Sequence, residues 1–183
     1  MKQILLFSFL LLFYSFTASL QAEDEVWILI DTKKAQLEIK KGNITIKVME
    51  NIAIGRNGAG FKHRVGDDVT PLGTFRIGWI NKKSPFYRFY GFDYPSPEIA
   101  DEALLSGLLS KKSHTRIINA HKKDKVPPQN TKIGGQIGIH GLGNADPFIH
   151  QTMNWTHGCI AITNEQVDKL ERWIKKGIKV KVK

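Results

Sequence analysis

Three segments in the first third of the chain have the hydrophobic pattern of β-strands. Residues 26–30 form a short apolar run, and residues 36–40 and 44–48 place apolar side chains at alternate positions. Successive side chains of a strand point to opposite faces, so this period of two predicts half-buried strands. A Lys-Gly-Asn turn at 41–43 separates the last two. Further strands are predicted at residues 75–80 and 178–182.

Two helices are predicted in the second half of the chain. Residues 97–110 begin with a proline and acidic residues, as helices often do. Residues 164–176 follow Thr163, which has capping-box spacing to Gln166, and they end at Gly177. Many strands with only two helices and short connections predict a mainly β domain, with antiparallel pairing favoured over a doubly wound fold.

The other segments are predicted to be irregular. Residues 81–96 are rich in aromatic residues, proline and glycine, and residues 143–155 have the character of a long loop. Basic segments carry His63, His114 and His121, which we expect in solvated loops. None of these regions is expected to contribute a regular element to the domain.

The N-terminal residues have the order of a secretory signal peptide. Lys2 precedes an apolar run over residues 4–16, and small and polar residues follow up to Ala22. This order predicts cleavage after Ala22, which divides the chain into a signal peptide, 1–22, and one mature domain, 23–183. An uncleaved membrane anchor is the alternative. We therefore expect an exported protein of the periplasm or cell wall, with no stable membrane span after cleavage.

The chain is basic, with a formal net charge of +10 at pH 7. A basic exported protein favours polyanionic neighbours such as cell-wall polymer or a membrane surface, although a lysine-rich surface can simply keep a protein soluble. No segment interleaves aromatic residues and arginines as a nucleic-acid platform does. Nucleic acid is therefore not an expected partner.

Cysteine usage is more informative than charge. The chain has one cysteine, Cys159, which excludes an internal disulfide. In an oxidising compartment such a residue is a buried small hydrophobe, an intermolecular linker or a free reactive thiol. The neighbouring residues have to decide between these three interpretations.

Two His-Gly pairs favour a reactive thiol. His157-Gly158 directly precedes Cys159, and His140-Gly141 lies upstream at the end of a strand-like stretch. An imidazole near a thiol raises its thiolate fraction or accepts its proton. A glycine beside a nucleophile allows a substrate carbonyl to approach backbone N–H groups. We therefore favour nucleophilic catalysis by Cys159.

These residues resemble the active-site motif of the L,D-transpeptidase catalytic domain family (YkuD type). Ile139-His140-Gly141 followed by Thr156-His157-Gly158-Cys159 is similar to the family's His-Gly and Ser/Thr-His-Gly-Cys signatures. The stretch 66–75, with Thr-Pro-Leu-Gly-Thr-Phe at its end, is similar to a weaker upstream motif. The resemblance spans residues 26–183. One position departs from it, because many members carry Arg or Asn where this chain has Ala161.

The resemblance implies a fold and a set of roles. It implies an L,D-transpeptidase-like domain, mainly β, built as a β-sandwich or a mixed sheet with two short peripheral helices. Cys159 is the implied nucleophile and His140 the implied proton donor and acceptor. Four neighbours complete the expected site: His157 to shape it, Gly158 to offer its backbone to an oxyanion, and Gly141 and Thr156 to contact substrate.

The implied reaction is acyl transfer through a thioester on tetrapeptide stems of peptidoglycan, which forms 3–3 cross-links or related products. A protein lysine is a possible acceptor, and attack by water would make the same site an L,D-carboxypeptidase. A non-enzymatic alternative is a basic wall-binding domain that uses Trp155, Tyr87 and surface lysines. His140, His150, His157 and Cys159 offer zinc-compatible atoms, but their spacing matches no common zinc motif, so no metal or other cofactor is expected.

Overall fold

The computed structural model describes residues 25–183, and the predicted signal peptide, residues 1–22, lies outside them. The described residues form ten strands and four helices. In chain order these are β1 (Val26–Asp31), β2 (Gln36–Lys41), β3 (Ile44–Glu50), β4 (Ala59–Gly60), β5 (Thr70–Pro71), β6 (Gly73–Ser84), β7 (Tyr87–Phe92), α1 (Pro97–Leu105), α2 (Lys111–His121), β8 (Gly138–His140), α3 (Pro147–Thr152), β9 (Ile160–Ala161), α4 (Asn164–Glu171) and β10 (Lys179–Val182).

Eight of the strands form one sheet in the order β3-β2-β1-β10-β6-β7-β8-β9, and β4 and β5 pair separately. The sheet is mixed, because β1 pairs with β10 and β8 pairs with β9 in parallel, whereas its other neighbouring strands are antiparallel. The expected mainly β domain with a mixed sheet is therefore confirmed. The preference for antiparallel pairing was wrong for those two pairs. Strands β1 and β10 are far apart in the sequence, and the connection from β8 to β9 contains helix α3, so both pairs have the long connection that parallel pairing needs.

A continuous apolar core extends along the sheet and under the helices. The aromatic rings of Phe75 on β6 and Phe92 on β7 stack with centroids 5.5 Å apart. Val167 and Leu170 of α4 are fully buried against the same core. The capping box predicted for this helix is present, since Thr163 and Gln166 exchange side chain to backbone hydrogen bonds. The core thus fixes β8, which ends at His140, and β9, which begins directly after Cys159.

The segment 81–96 was wrongly predicted to be irregular. Strand β6 continues to Ser84, and β7 returns beside it from Tyr87. Gly91 has a packing role in β7, because a Cβ atom there would lie 2.1 Å from the Trp79 ring of the paired strand. The glycine that looked like a loop signal makes room for an aromatic ring on the neighbouring strand.

The helices also differ from the predictions. Helix α1 ends at Leu105, before Gly107 with its φ of +72°, and α2 begins after Ser110, whose side chain accepts the N–H of Ser113. His114 and His121 therefore lie on a helix and not in loops. A short helix, α3, occupies part of the segment predicted to be a loop, and α4 ends at Glu171. Within residues 25–183, no helix has the length and apolar character needed to cross a bilayer.

Candidate active site

The parallel pairing of β8 and β9 brings His140 and Cys159 to one face of the sheet. His140 pairs with Ala161, and Ile139 pairs with Ile160. Cys159 lies two residues before Ala161, and side chains two apart on extended chain share a face. His140 and Cys159 are therefore diagonal neighbours across adjacent strands. The two residues are 19 apart in the sequence, and the pairing of β8 with β9 brings them together.

The His140 side chain is buried, with 3% of the residue exposed. Its Nδ1 lies 2.7 Å from the carbonyl oxygen of Gly141, which only accepts hydrogen bonds, so Nδ1 carries the ring proton. Nε2 then keeps its lone pair. Burial lowers the pKa of His140, against the opposing effect of the Gly141 hydrogen bond. The imidazole is thus a neutral base with a fixed tautomer.

Three aromatic rings enclose this imidazole. Their centroids lie 4.7 Å (Phe86), 5.9 Å (Trp155) and 6.3 Å (Phe89) from that of His140. The Trp155 indole N–H donates to Nδ1 of His150, another buried histidine, at 3.4 Å. This aromatic cage restricts the rotation of the His140 ring and excludes water from it.

Cys159 is half-buried and uncharged in this arrangement. Its Sγ donates to the carbonyl oxygen of Gln136 at 3.2 Å. Burial raises the pKa of the thiol from 9.0 to about 11, although the Gly138 backbone and the positive charge of Lys62 act in the opposite direction. Burial therefore shifts both members of the pair towards their neutral forms, thiol and imidazole.

The turn before Cys159 is held by Thr156, which is buried. Its hydroxyl donates to the Cys159 carbonyl at 2.6 Å and accepts the Gly158 N–H at 3.1 Å. Gly158 has a φ of +122°, and a Cβ atom there would lie 2.6 Å from the carbonyl oxygen of Val69. Glycine is therefore required at this position for two reasons, backbone conformation and close approach.

Two residues of the expected site have structural contacts that sequence alone did not indicate. Gly141 is buried, accepts the proton of His140 Nδ1 and leaves no room for a side chain, since a Cβ atom would lie 2.6 Å from Asn164 Oδ1. Thr156 closes the turn as described. Contact of either residue with substrate stays a prediction. Ala161 is fully buried between β8 and Ala53, so its small side chain fits a closed position beside His140.

His157 lies at the surface, in contrast to His140. Three quarters of its side chain is exposed, and Nδ1 lies 2.6 Å from Asp68 Oδ1. A carboxylate only accepts, so Nδ1–H donates to Asp68, and the nearby Arg56 donates to the other carboxylate oxygen at 3.1 Å. The His157 hydrogen bond is the main cause of the lowered pKa of Asp68, followed among the favourable contacts by that of Arg56.

A pocket of about 480 Å³ is lined in part by Gln136, whose carbonyl accepts the hydrogen bond of the Cys159 thiol. We call it the thiol-side pocket; its lining includes Lys62, Gly134, Gly135, Gln136 and His157. Lys62 is buried and forms an ion pair with Asp67. Gln136 joins the pocket to Cys159, because its carbonyl accepts the hydrogen bond of the thiol.

Sequence analysis missed the aromatic cage and the Lys62–Asp67 pair. The cage consists of two rings from the aromatic-rich segment 86–92 and of Trp155. The density of aromatic residues in that segment was the sequence signal from which the cage could have been predicted. Asp67 lies within the stretch that resembles the weaker family motif, but nothing in that motif connects it to Lys62. Among the described residues, no three His, Cys, Asp or Glu side chains come together as a metal-binding group. The geometry therefore gives the zinc alternative no ligand set.

Several solved structures share this fold. Pgp2 from Campylobacter jejuni, a helical cell shape determining protein, matches as its K307A mutant with a TM-score of 0.60 and 19% identity, over 88% of this chain and 47% of that one. Bd1075 from Bdellovibrio bacteriovorus gives a TM-score of 0.55 and 19% identity, over 89% and 49%. An L,D-transpeptidase from Xylanimonas cellulosilytica gives 0.50 and 14%, over 88% and 61%. The chain thus spans about half the length of the first two structures.

Sequence comparison gives the family. A search of curated proteins finds no match. The family model of the L,D-transpeptidase catalytic domain (YkuD) matches residues 25–182, which is most of the chain. The mainly β mixed sheet agrees with the fold of the L,D-transpeptidase structures. The chain belongs to the L,D-transpeptidase catalytic domain family.

Proposed function

We propose that this protein transfers acyl groups on tetrapeptide stems of peptidoglycan, with Cys159 as nucleophile and His140 as proton acceptor and donor. The observation that carries this proposal is the parallel register of β8 and β9, which gives a free thiol and a neutral imidazole of fixed tautomer the same face of the sheet. A nucleophile and a base on adjacent, core-anchored strands are the arrangement that covalent catalysis needs.

The reaction begins with the thiol proton. The S–H bond rotates from Gln136 towards His140 Nε2, which takes the proton as the sulfur attacks the carbonyl of the third stem residue. A C–S bond forms, the peptide bond to the terminal D-alanine breaks, and His140 returns the proton to the departing amine. The neutral resting pair favours this concerted order, since a free thiolate and imidazolium would both be poorly solvated here.

The second step transfers the acyl group from sulfur to an acceptor. An amine of another stem attacks the thioester, His140 accepts its proton, and the thiol is regenerated with a new amide. Amine attack by a stem gives a 3–3 cross-link, whereas attack by water gives a trimmed tripeptide. A protein lysine would use the same chemistry as the stem amine.

Backbone N–H groups beside Cys159 stabilise the oxyanion in this proposal. Such a donor is typically worth about 2.7–4 kcal/mol in the transition state. The N–H of Gly158 donates to Thr156 in the resting structure, so its use here requires an exchange of hydrogen bonds. His157 acts from the edge of the site, where it holds the turn to Asp68.

The proposed setting is the periplasm or cell wall, reached by the N-terminal signal. The proposed substrate, peptidoglycan, is a polymer outside the cytoplasm, and that location supports the proposal that the protein is exported. Pgp2 is described as a cell shape determining protein, and a contribution of stem remodelling to cell shape is the corresponding proposal for this chain.

Incubation with defined tetrapeptide muropeptides, with and without an acceptor stem, tests the proposal. We expect the full chain to release D-alanine and form a covalent adduct at Cys159 detectable by mass spectrometry, and Cys159→Ala to do neither. Dimers joined 3–3 identify a transpeptidase, and tripeptide alone identifies a carboxypeptidase. Release of D-alanine by Cys159→Ala at the wild-type rate would overturn the proposal. Binding to peptidoglycan without any processing, unaffected by alkylation of Cys159, would favour the wall-binding alternative.

A further inference from the structure

We infer that Lys62 binds the free C-terminal carboxylate of the peptide whose carbonyl Cys159 attacks, so that Lys62 selects stems that end one residue beyond the scissile bond. The inference rests on the proposed function and adds a specificity-determining residue to it. It comes from the placement of Lys62 in the thiol-side pocket, from its burial and from the state of its carboxylate partner.

The burial of Lys62 is unusual for a lysine. Only 3% of the residue is exposed, and lysines are rarely so buried unless they are paired. The aliphatic part of the Lys62 side chain packs against Gly134, where a Cβ atom would lie 2.8 Å from Lys62 Cε. The backbone at Gly134 therefore approaches the lysine closely and holds its ammonium group at the pocket wall.

The Asp67 carboxylate accepts most of its hydrogen bonds from backbone N–H groups and only one from Lys62. Its carboxylate accepts backbone N–H groups from His63 at 2.7 Å, Arg64 at 3.1 Å and Val69 at 3.1 Å, in addition to the Lys62 ammonium. A carboxylate has about four acceptor positions, so all of them are occupied. Burial alone would raise the pKa of Asp67, but the Lys62 and backbone hydrogen bonds together lower it.

The ammonium group has donors left for a ligand. An ammonium carries three N–H donors, and Asp67 takes one of them. A ligand carboxylate in the pocket would make charge-assisted hydrogen bonds with the others. The backbone N–H groups on Asp67 keep that carboxylate in place while Lys62 is shared between the two anions.

Gln136 and the charge of Lys62 connect the pocket to the thiol, because Lys62 acts electrostatically on Cys159. The thiol donates to Gln136, and Gln136 and Lys62 line the same pocket. In a tetrapeptide the terminal carboxylate belongs to the residue directly after the attacked carbonyl, and consecutive Cα atoms are about 3.8 Å apart. A pentapeptide would place an uncharged amide there and its carboxylate one residue further away.

The test compares substrates that differ only at the C-terminus. Release of the terminal residue is measured as kcat/KM for a tetrapeptide muropeptide and for its C-terminal amide, with the full chain, Lys62→Met, Lys62→Arg and Lys132→Met. Lys132 is an exposed lysine that directly follows Thr131, a residue of the pocket lining, and it serves as the charge-matched control. Thermal unfolding of each variant checks its fold.

We expect wild type and Lys132→Met to favour the acid over the amide by about 10- to 100-fold, the range typical of a hydrogen bond to a charged group. Lys62→Met should lose that preference through a larger fall on the acid than on the amide, and Lys62→Arg should retain part of it. Equal falls on acid and amide would overturn the inference, because they would mean that Lys62 only supports the fold or the thiol.

A binding arm separates failure of the inference from failure of the proposed function. Calorimetric titration of Cys159→Ala with the two peptides needs no turnover, and tighter binding of the acid than of the amide is expected. Equal binding of the two peptides, or equal turnover of both by wild type, refutes carboxylate recognition even if Lys62→Met does not fold. Acid-selective binding without any turnover would instead count against the proposed reaction alone.

Discussion

Two His-Gly pairs that look alike in the sequence have opposite environments in the molecule. His140 is buried inside three aromatic rings, and its Nδ1 is bound to a backbone carbonyl. His157 is largely exposed, and its Nδ1 is bound to the Asp68 carboxylate. The first environment gives a neutral, oriented imidazole on the same face of the sheet as the thiol, and the second gives an anchored surface residue. Burial and the partner of Nδ1 therefore distinguish the proposed base from its neighbour.

The largest expected effect is that of His140→Asn. The asparagine amide can keep a donor to the Gly141 carbonyl while the Nε2 base is removed. We expect kcat/KM for D-alanine release to fall about 10²–10⁴-fold, the usual contribution of general acid–base catalysis. Thermal unfolding checks that the variant is folded. A loss of less than tenfold would remove the distinction between the two histidines.

The next largest expected effect is on the pH dependence of alkylation of the desolvated Cys159 thiol. With its pKa raised from 9.0 to about 11, Cys159 holds about 100-fold less thiolate at pH 8 than an ordinary thiol does. Iodoacetamide alkylation of the folded chain should therefore keep accelerating from pH 9 to pH 11, whereas the urea-unfolded chain levels off near pH 9. Cys159 is the only cysteine, so no other thiol contributes. A plateau below pH 9 in the folded chain would mean that a thiolate–imidazolium pair already exists at rest.

Part of this fold was accessible from sequence because it depends on local patterns. A short apolar run predicted β1, the period of two predicted β2 and β3, and the spacing of Thr163 and Gln166 predicted the start of α4. The aromatic segment 81–96 was wrongly predicted, because its glycine and prolines resemble loop signals and its strand is stabilised by Trp79 across the sheet.

The site was accessible to a different extent. The motif indicated Cys159 and His140, but nothing local distinguishes His140 from His157, whose Nδ1 partner Asp68 is remote in sequence. The placement of Lys62 and Gln136 in one pocket likewise depends on how the loops fold over one another. Long-range contacts of this kind have no period or spacing from which to predict them.

A smaller effect, on the free energy of unfolding, is expected for a change at Gly158 in the turn before Cys159. Gly158→Ala places a Cβ atom 2.6 Å from the Val69 carbonyl in a backbone with a φ of +122°. Strain of this kind costs about 1–3 kcal/mol, so the free energy of unfolding should fall by that amount or more. Gly177→Ala is the matched control, since its φ is +86° but nothing lies within 4 Å of its Cβ position. Denaturant unfolding of both variants measures the difference, and equal stability would show that the turn yields without cost.

The smallest expected effect is that of breaking the His157–Asp68 pair. We expect His157→Asn and Asp68→Asn each to lower kcat/KM by less than about tenfold, because exposed ion pairs contribute little and are screened by salt. The double variant should be no worse than the more affected single variant, since both changes remove one contact. The deficit of each should also shrink when wild type and variant are both assayed at about 1 M salt, where the screening length is about 3 Å. A loss above 100-fold for His157→Asn alone would instead assign proton transfer to the exposed histidine, and the buried His140 would then be a structural residue of the aromatic cage.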